Sequence, residues 1–274
     1  MVRVSLDGVG AVRGDDLAQM SQLCQPTEDA LSRDGVAVTR AACPARAEAA
    51  GAACAECLAA SLHGLERKLA LPQTMAERMR SGGVSLRHFV PICTTASAAI
   101  EEPTTRNEFR MPFTSCFAAA LRVSLAGDAG ALLVAAVGRD AELRELQVIV
   151  SEPGATAQDV HSDSNFSDAP RLVTVFIALH DLLDERMGPT HFWPHTHAPR
   201  CFPPSCRWLP PTASLAAERR SVWYALRAGD AVLMDACTWH RGGANTSGSR
   251  RSLLAASFVA ASDGGRVPRL DGFV

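Results

Sequence analysis

The chain has 274 residues, of which 47% are hydrophobic, and sets 27 Lys and Arg against 29 Asp and Glu for a formal net charge of −2. That length is read as one domain spanning residues 1–274 with a substantial core. A near-neutral balance with basic residues spread along the whole chain removes the electrostatic case for a nucleic-acid partner, and the longest apolar runs, such as 131–137, fall far short of the roughly 18 residues of a membrane span.

The N-terminal stretch Met1-Val2-Arg3-Val4-Ser5-Leu6-Asp7-Gly8 lacks the apolar run of a secretory signal, so a soluble, cytoplasmic protein is expected. The 9 cysteines are odd in number and scattered, which fits reduced thiols. From Asp15 to Val38 the pattern predicts helix, breaker and short strand, the last at Val36-Ala37-Val38. Pro44–Leu71 reads as one long Ala-, Glu- and Leu-rich helix, on which Cys54-x-x-Cys57 places two small apolar residues on one face rather than half a zinc site. Residues 81–115 are broken by Gly82-Gly83, Pro91, Pro103 and Pro112 and read as a loop-rich cap.

Helices are expected at Phe117–Leu125 and Ala129–Val137, the second stopped by Gly138. The texture then changes to short strands: Leu143–Ser151, Gln158–Asp163, Arg171–Leu179, His191–Pro194, Ser221–Leu226, Ala231–Asp235 and Arg250–Val259. The expected fold class is therefore α+β, with a mainly helical part over 1–140 and a closed or sandwiched β core over 141–262.

Four residues carry chemistry in this frame. His161-Ser162-Asp163 sends an imidazole and a carboxylate to one side of an extended segment. His240, before Gly242-Gly243, supplies a second imidazole, and two His with one carboxylate form the facial set that suits iron(II). Arg251 follows His240 by eleven residues (251 − 240) and can fork onto the far carboxylate of an acid bound at the metal, although its neighbour Arg250 competes for that role. The histidines His191, His195 and His197 suggest an exposed loop more than a second metal site.

These motifs, with Pro153-Gly154-Ala155, Gly188-Pro189-Thr190-x-Phe192-x-Pro194-x-Thr196-His197, Gly229-Asp230 and His240-Arg241-Gly242-Gly243-Ala244-Asn245, resemble in order and spacing the phytanoyl-CoA dioxygenase-like branch of the iron(II)/2-oxoglutarate-dependent oxygenases. The resemblance covers about 140–260. It implies a double-stranded β-helix (jelly-roll, cupin-like) core with an N-terminal helical extension. It also implies iron(II) on His161, Asp163 and His240, 2-oxoglutarate as co-substrate with its C5 carboxylate on Arg251 and a hydroxyl from Thr190 nearby, and O2 as oxidant. The expected reaction is hydroxylation of a small molecule, since related halogenases have a small residue where Asp163 stands. The family pattern places a glycine where this chain has His195, and Trp239 and Phe192 are candidate walls of the site. A non-catalytic or differently metallated cupin-like binding protein is the competing reading; in it Arg251 has no task.

Overall fold

The protein's structure, a computed structural model, describes residues 2–4, 29–43, 45–49, 51–53, 56, 89–91, 106–110, 115–164, 171–198 and 213–260. In chain order they form β1 (Val2–Val4), α1 (Asp29–Asp34), β2 (Val36–Thr39), β3 (Phe89–Pro91), β4 (Arg106–Arg110), α2 (Ser115–Leu125), α3 (Asp128–Val137), β5 (Glu142–Ser151), β6 (Leu172–Ala178), β7 (Thr190–Trp193), α4 (Ala213–Ala217), β8 (Val222–Tyr224), β9 (Ala231–Asp235), β10 (Trp239–Gly242) and β11 (Arg251–Val259). Two antiparallel sheets result, one of seven strands in the order β2-β9-β6-β11-β5-β4-β3 and one of four in the order β1-β8-β7-β10.

Alternation of side chains divides the large sheet into two apolar faces. Leu146, Val148 and Val150 of β5 join Val175, Ile177, Leu254 and Phe258 against Leu121, Leu125 and Leu133 of the helices. The opposite face of the same strands carries Phe176, Val232, Met234, Leu253 and Ala255, which meet Phe192 and Tyr224 of the small sheet. Phe258 and Leu254 are fully buried, so truncating Phe258 to alanine is expected to cost about 3–5 kcal/mol of stability.

No single helix among the described residues is long and apolar enough to cross a membrane; Ala118–Leu125 and Asp128–Val137 meet at 91° and bury their apolar sides on the sheet. Gly138 ends α3 with φ of 89° and an N–H that donates to the Val134 carbonyl, a conformation that favours glycine.

Among the described residues, the N-terminal region supplies strands to the large sheet as well as helices. Helix, left-handed Gly35 and strand follow one another over 29–39 as the pattern predicts, but β2 then pairs with β9 inside the large sheet. Residues expected to be an irregular cap contribute β3 and β4, which extend that sheet beyond β5. Prolines disguised them: Pro91 ends β3, the edge strand among the described residues, where proline is best tolerated, and β4 fits between Pro103 and Pro112. Of the long helix expected over 44–71, residues 45–49, 51–53 and 56 are helical and most of the rest, with Cys54 and Cys57, lies outside the described residues.

Candidate active site

Beyond β5 the chain turns at Gly154, whose φ is 86°, and runs back along the segment that joins β10 to β11. Gly154 N–H donates to the Asn245 carbonyl, Gln158 N–H to that of Gly242, and His161 and His240 exchange both backbone bonds at 2.9 and 2.8 Å. The expected strand over 158–163 is thus a single β-bridge, because after His161 the chain bends and Ser164 N–H reaches the Ala236 carbonyl. His240, expected at the end of the strand before it, occupies its own strand β10. That strand is four residues long and closed by Gly242-Gly243, too short to stand out from a turn in sequence.

This pairing sets the two rings 4.4 Å apart and brings Asp163 to both: its Oδ1 lies 3.8 Å from His161 Nε2 and 3.5 Å from His240 Nε2. The three residues are a metal-compatible group among the described residues, with ligand atoms within 4.8 Å of one another. Each ring is oriented from behind. His161 Nδ1 donates to the Asp159 carbonyl at 2.8 Å and His240 Nδ1 to that of Thr238 at 3.0 Å. A carbonyl can only accept, so Nδ1 carries the proton and Nε2 offers its lone pair, as a ligand must. His240 is 5% exposed, and burial holds its ring below the ordinary histidine pKa, opposed by the Asp163 carboxylate. Two imidazoles and a carboxylate, aimed at one point and open on one side, fit an iron(II) ion.

His161, Asp163, His240, Thr190, Arg251 and Phe176 line a cavity of about 310 Å³ between the sheets. Thr190 pairs with Gly242 at the start of β7. Phe192 stacks behind His240 at 6.4 Å between ring centroids, whereas Trp239, one residue away on β10, takes the opposite face and is no wall of the cavity. His195 has φ of 64°, the left-handed turn at the position where the family pattern has glycine, and its N–H donates to the Asp34 carbonyl. His197 bonds the Ser32 carbonyl, and neither joins a metal cluster among the described residues.

Arg251 opens β11 and points inward, 1% exposed, with Nη2 donating to Ser151 Oγ at 2.9 Å. Arg250 lies outside, its Nε donating to Glu152 at 2.7 Å. One arginine went unnoticed in the sequence. Arg106 of β4 pairs with Ser151, which pairs in turn with Arg251, so the three form one row across the large sheet. Arg106 is also 1% exposed, and its Nη2 donates to the Thr156 and Gly243 carbonyls. Burial pushes Arg106 down to about 10; burial, then the Arg106 charge, pushes Arg251 down to about 9. Nε and Nη1 of both have no partner among the described residues, so four buried donor nitrogens lack an acceptor. Gly242 is required here, because a Cβ would collide with the Arg106 guanidinium and Gln158 Oε1.

Residues 31–253 match the family model described as phytanoyl-CoA dioxygenase. No curated protein sequence matches the chain at a significant level. Among solved structures, the non-heme α-ketoglutarate-dependent epimerase SnoN from nogalamycin biosynthesis is similar at 21% identity and a TM-score of 0.56, over 90% of this chain and 85% of that one. AviO1 from Streptomyces viridochromogenes Tue57 is similar at 18% identity and a TM-score of 0.58, over 88% of this chain and 96% of that one. The α-ketoglutarate-dependent carbocyclase SnoK is similar at 17% identity and a TM-score of 0.55, over 86% and 87%.

Proposed function

The chain belongs to the phytanoyl-CoA dioxygenase family, and from that premise we propose that it is an iron(II)- and 2-oxoglutarate-dependent oxygenase that hydroxylates a small molecule. The observation that carries this reading is the facing of two charges across one cavity: a His-Asp-His set on the small-sheet side and, on the large sheet, the Arg251 guanidinium, whose Nε and Nη1 have no partner among the described residues. A diacid chelated at the metal answers both. The two-sheet antiparallel core is in keeping with the double-stranded β-helix that the sequence motifs imply.

Iron(II) with 2-oxoglutarate and O2 supplies an oxidative decarboxylation, giving succinate and CO2, that is coupled to attack on a substrate C–H bond. The chain's own residues perform the positioning. His161, Asp163 and His240 hold the metal; Arg251, backed by Arg106, takes the far carboxylate in charge-assisted bonds that a short diacid makes without losing much freedom. Thr190 offers a hydroxyl beside it. Asp163 keeps occupied the coordination position that a small residue opens to halide in related halogenases, which favours hydroxylation.

The test is succinate release by the purified protein, with iron and O2 each omitted in turn, followed by mass analysis of the substrate. Succinate that needs both, with a product heavier by one oxygen, supports the reading. Because SnoN is described as an epimerase and SnoK as a carbocyclase, a product of unchanged mass or one lighter by two hydrogens would keep the oxygenase class and remove hydroxylation. No dependence on iron would return the chain to a binding role.

A further inference from the structure

The strand that carries Arg251 is held unevenly at its start. On one side β11 stays in register with β5 as far as Arg251 and Ser151, but on the other its ladder with β6 stops at Leu253 and Ala178. One step further the register would set Leu179 opposite Ser252, and there the chain leaves the sheet: the Leu179 carbonyl lies against Gly51, where a Cβ would collide with it. The Ser252 N–H faces this gap. It donates to Nε2 of His180 at 3.0 Å, a side-chain acceptor standing where the next ladder carbonyl would be. Ser252 is 7% exposed, so its amide without that acceptor would carry the penalty of an unpaired buried N–H.

The ring can accept in one form only. Nε2 takes the Ser252 N–H, so the proton of the neutral imidazole sits on Nδ1, which donates to the Asp181 carbonyl at 3.2 Å. Burial holds His180 below the ordinary histidine pKa, opposed by the bond to that carbonyl and helped by the Arg251 charge, so the accepting form prevails near neutral pH. The Asp181 carboxylate is engaged elsewhere, its Oδ1 accepting from the Ala228 N–H at 3.0 Å. The neighbouring fastenings of this strand end reach the other way, Arg250 to Glu152 and Arg251 to Ser151, both on the β5 side. His180 is the hold from the β6 side. A guanidinium at the tip of a long side chain magnifies any tilt of the strand beneath it, whereas a binding group must be kept within about 0.5 Å of its productive place.

We propose that His180 is a positioning residue for the co-substrate: by accepting the Ser252 N–H it fixes the start of β11 and, through it, the Arg251 guanidinium in the cavity wall. The proposal rests on the reading of Arg251 as the anchor of a diacid.

Anaerobic titration calorimetry of the iron(II)-loaded protein with 2-oxoglutarate would compare wild type, His180→Leu, His180→Gln, whose Oε1 can stand in for Nε2, and Arg251→Ala with and without His180→Leu. His180→Leu is expected to weaken diacid binding about 5-fold or more and His180→Gln to recover most of the loss, with iron(II) binding unchanged in both. In Arg251→Ala the same change should have no further effect, because a residue that acts through Arg251 has nothing left to place. Hydrogen exchange at the Ser252 amide should quicken about 10-fold or more in His180→Leu and stay slow in His180→Gln. Melting curves check folding; if His180→Leu does not fold, His180→Asn, polar but too short to reach the amide, takes its place. Unchanged diacid affinity in the folded variant, a loss that glutamine does not recover, or an equal further loss without Arg251 overturns the proposal. A wild type that binds iron(II) but no diacid would instead overturn the oxygenase reading; the exchange data then still decide whether His180 holds the start of β11, and exchange that ignores His180 would sink that too.

Discussion

Arg250 and Arg251 are neighbours in sequence, yet one pairs with Glu152 at the surface and the other is buried in the cavity wall behind Ser151. Strand alternation forces this divergence, and it assigns the two different consequences on removal. Arg251→Ala is expected to weaken 2-oxoglutarate binding about 30-fold or more, the scale of losing one partner of a buried charge-assisted pair. Arg250→Ala should change it by about 5-fold at most, because an exposed ion pair is worth about 1 kcal/mol or less. Equal effects on the measured affinity would contradict the assignment.

The guanidinium of Arg251, which bonds a hydroxyl but no anion among the described residues, also bears on stability. A buried cation without an anion opposes folding, so Arg251→Met should leave the ligand-free melting temperature unchanged or raised. With 2-oxoglutarate at 100 times its Kd, the metal-loaded wild type should gain about 2.7 kcal/mol, or roughly 5–10 °C, and the variant much less. A wild type that melts at the same temperature with and without the diacid would argue against an anion site.

Gly242 has space for no side chain. Gly242→Ala should displace the Arg106 guanidinium and Gln158 together, weakening 2-oxoglutarate binding while leaving the His-Asp-His group able to take up metal. Metal titration followed by diacid titration separates the two; loss of metal uptake alone would show that the glycine serves the triad instead.

The pH dependence has a defined sign. His240 has a folded-state pKa held down by burial, so the unfolded chain binds more protons as pH falls through about 6.5, the unperturbed histidine value. Its contribution to metal-free stability is therefore intact above that pH and is lost as pH drops towards the folded-state value. Melting curves at pH 7.5 and 5.5 should show a smaller decline for His240→Gln than for wild type. Parallel declines would mean that other groups set the slope.

The core strands and the candidate metal ligands were legible in sequence because periodicity and ligand type are local properties. β5, β6, β9 and β11 are long or apolar enough to declare themselves, and His161, Asp163 and His240 stand in recognisable motifs. What escaped is what depends on pairing. β3 and β4 look like loop because prolines flank or end them, and β10 because it is short. Arg106 sits in Arg106-Asn107-Glu108-Phe109-Arg110, which reads as a solvated segment until register with Ser151 buries it. His180 and Ser252 lie far apart in the chain, and only the ladder of β6 and β11 brings them together.

The central claim is that a metal on His161, Asp163 and His240 and a guanidinium at Arg251 share one diacid. Anaerobic addition of iron(II) and 2-oxoglutarate to the metal-free protein tests it directly. A weak visible charge-transfer band should appear in the wild type only when both are present, be lost in Asp163→Ala, and require far more 2-oxoglutarate in Arg251→Ala. A wild type that binds iron(II) but develops no band at saturating 2-oxoglutarate would contradict the claim.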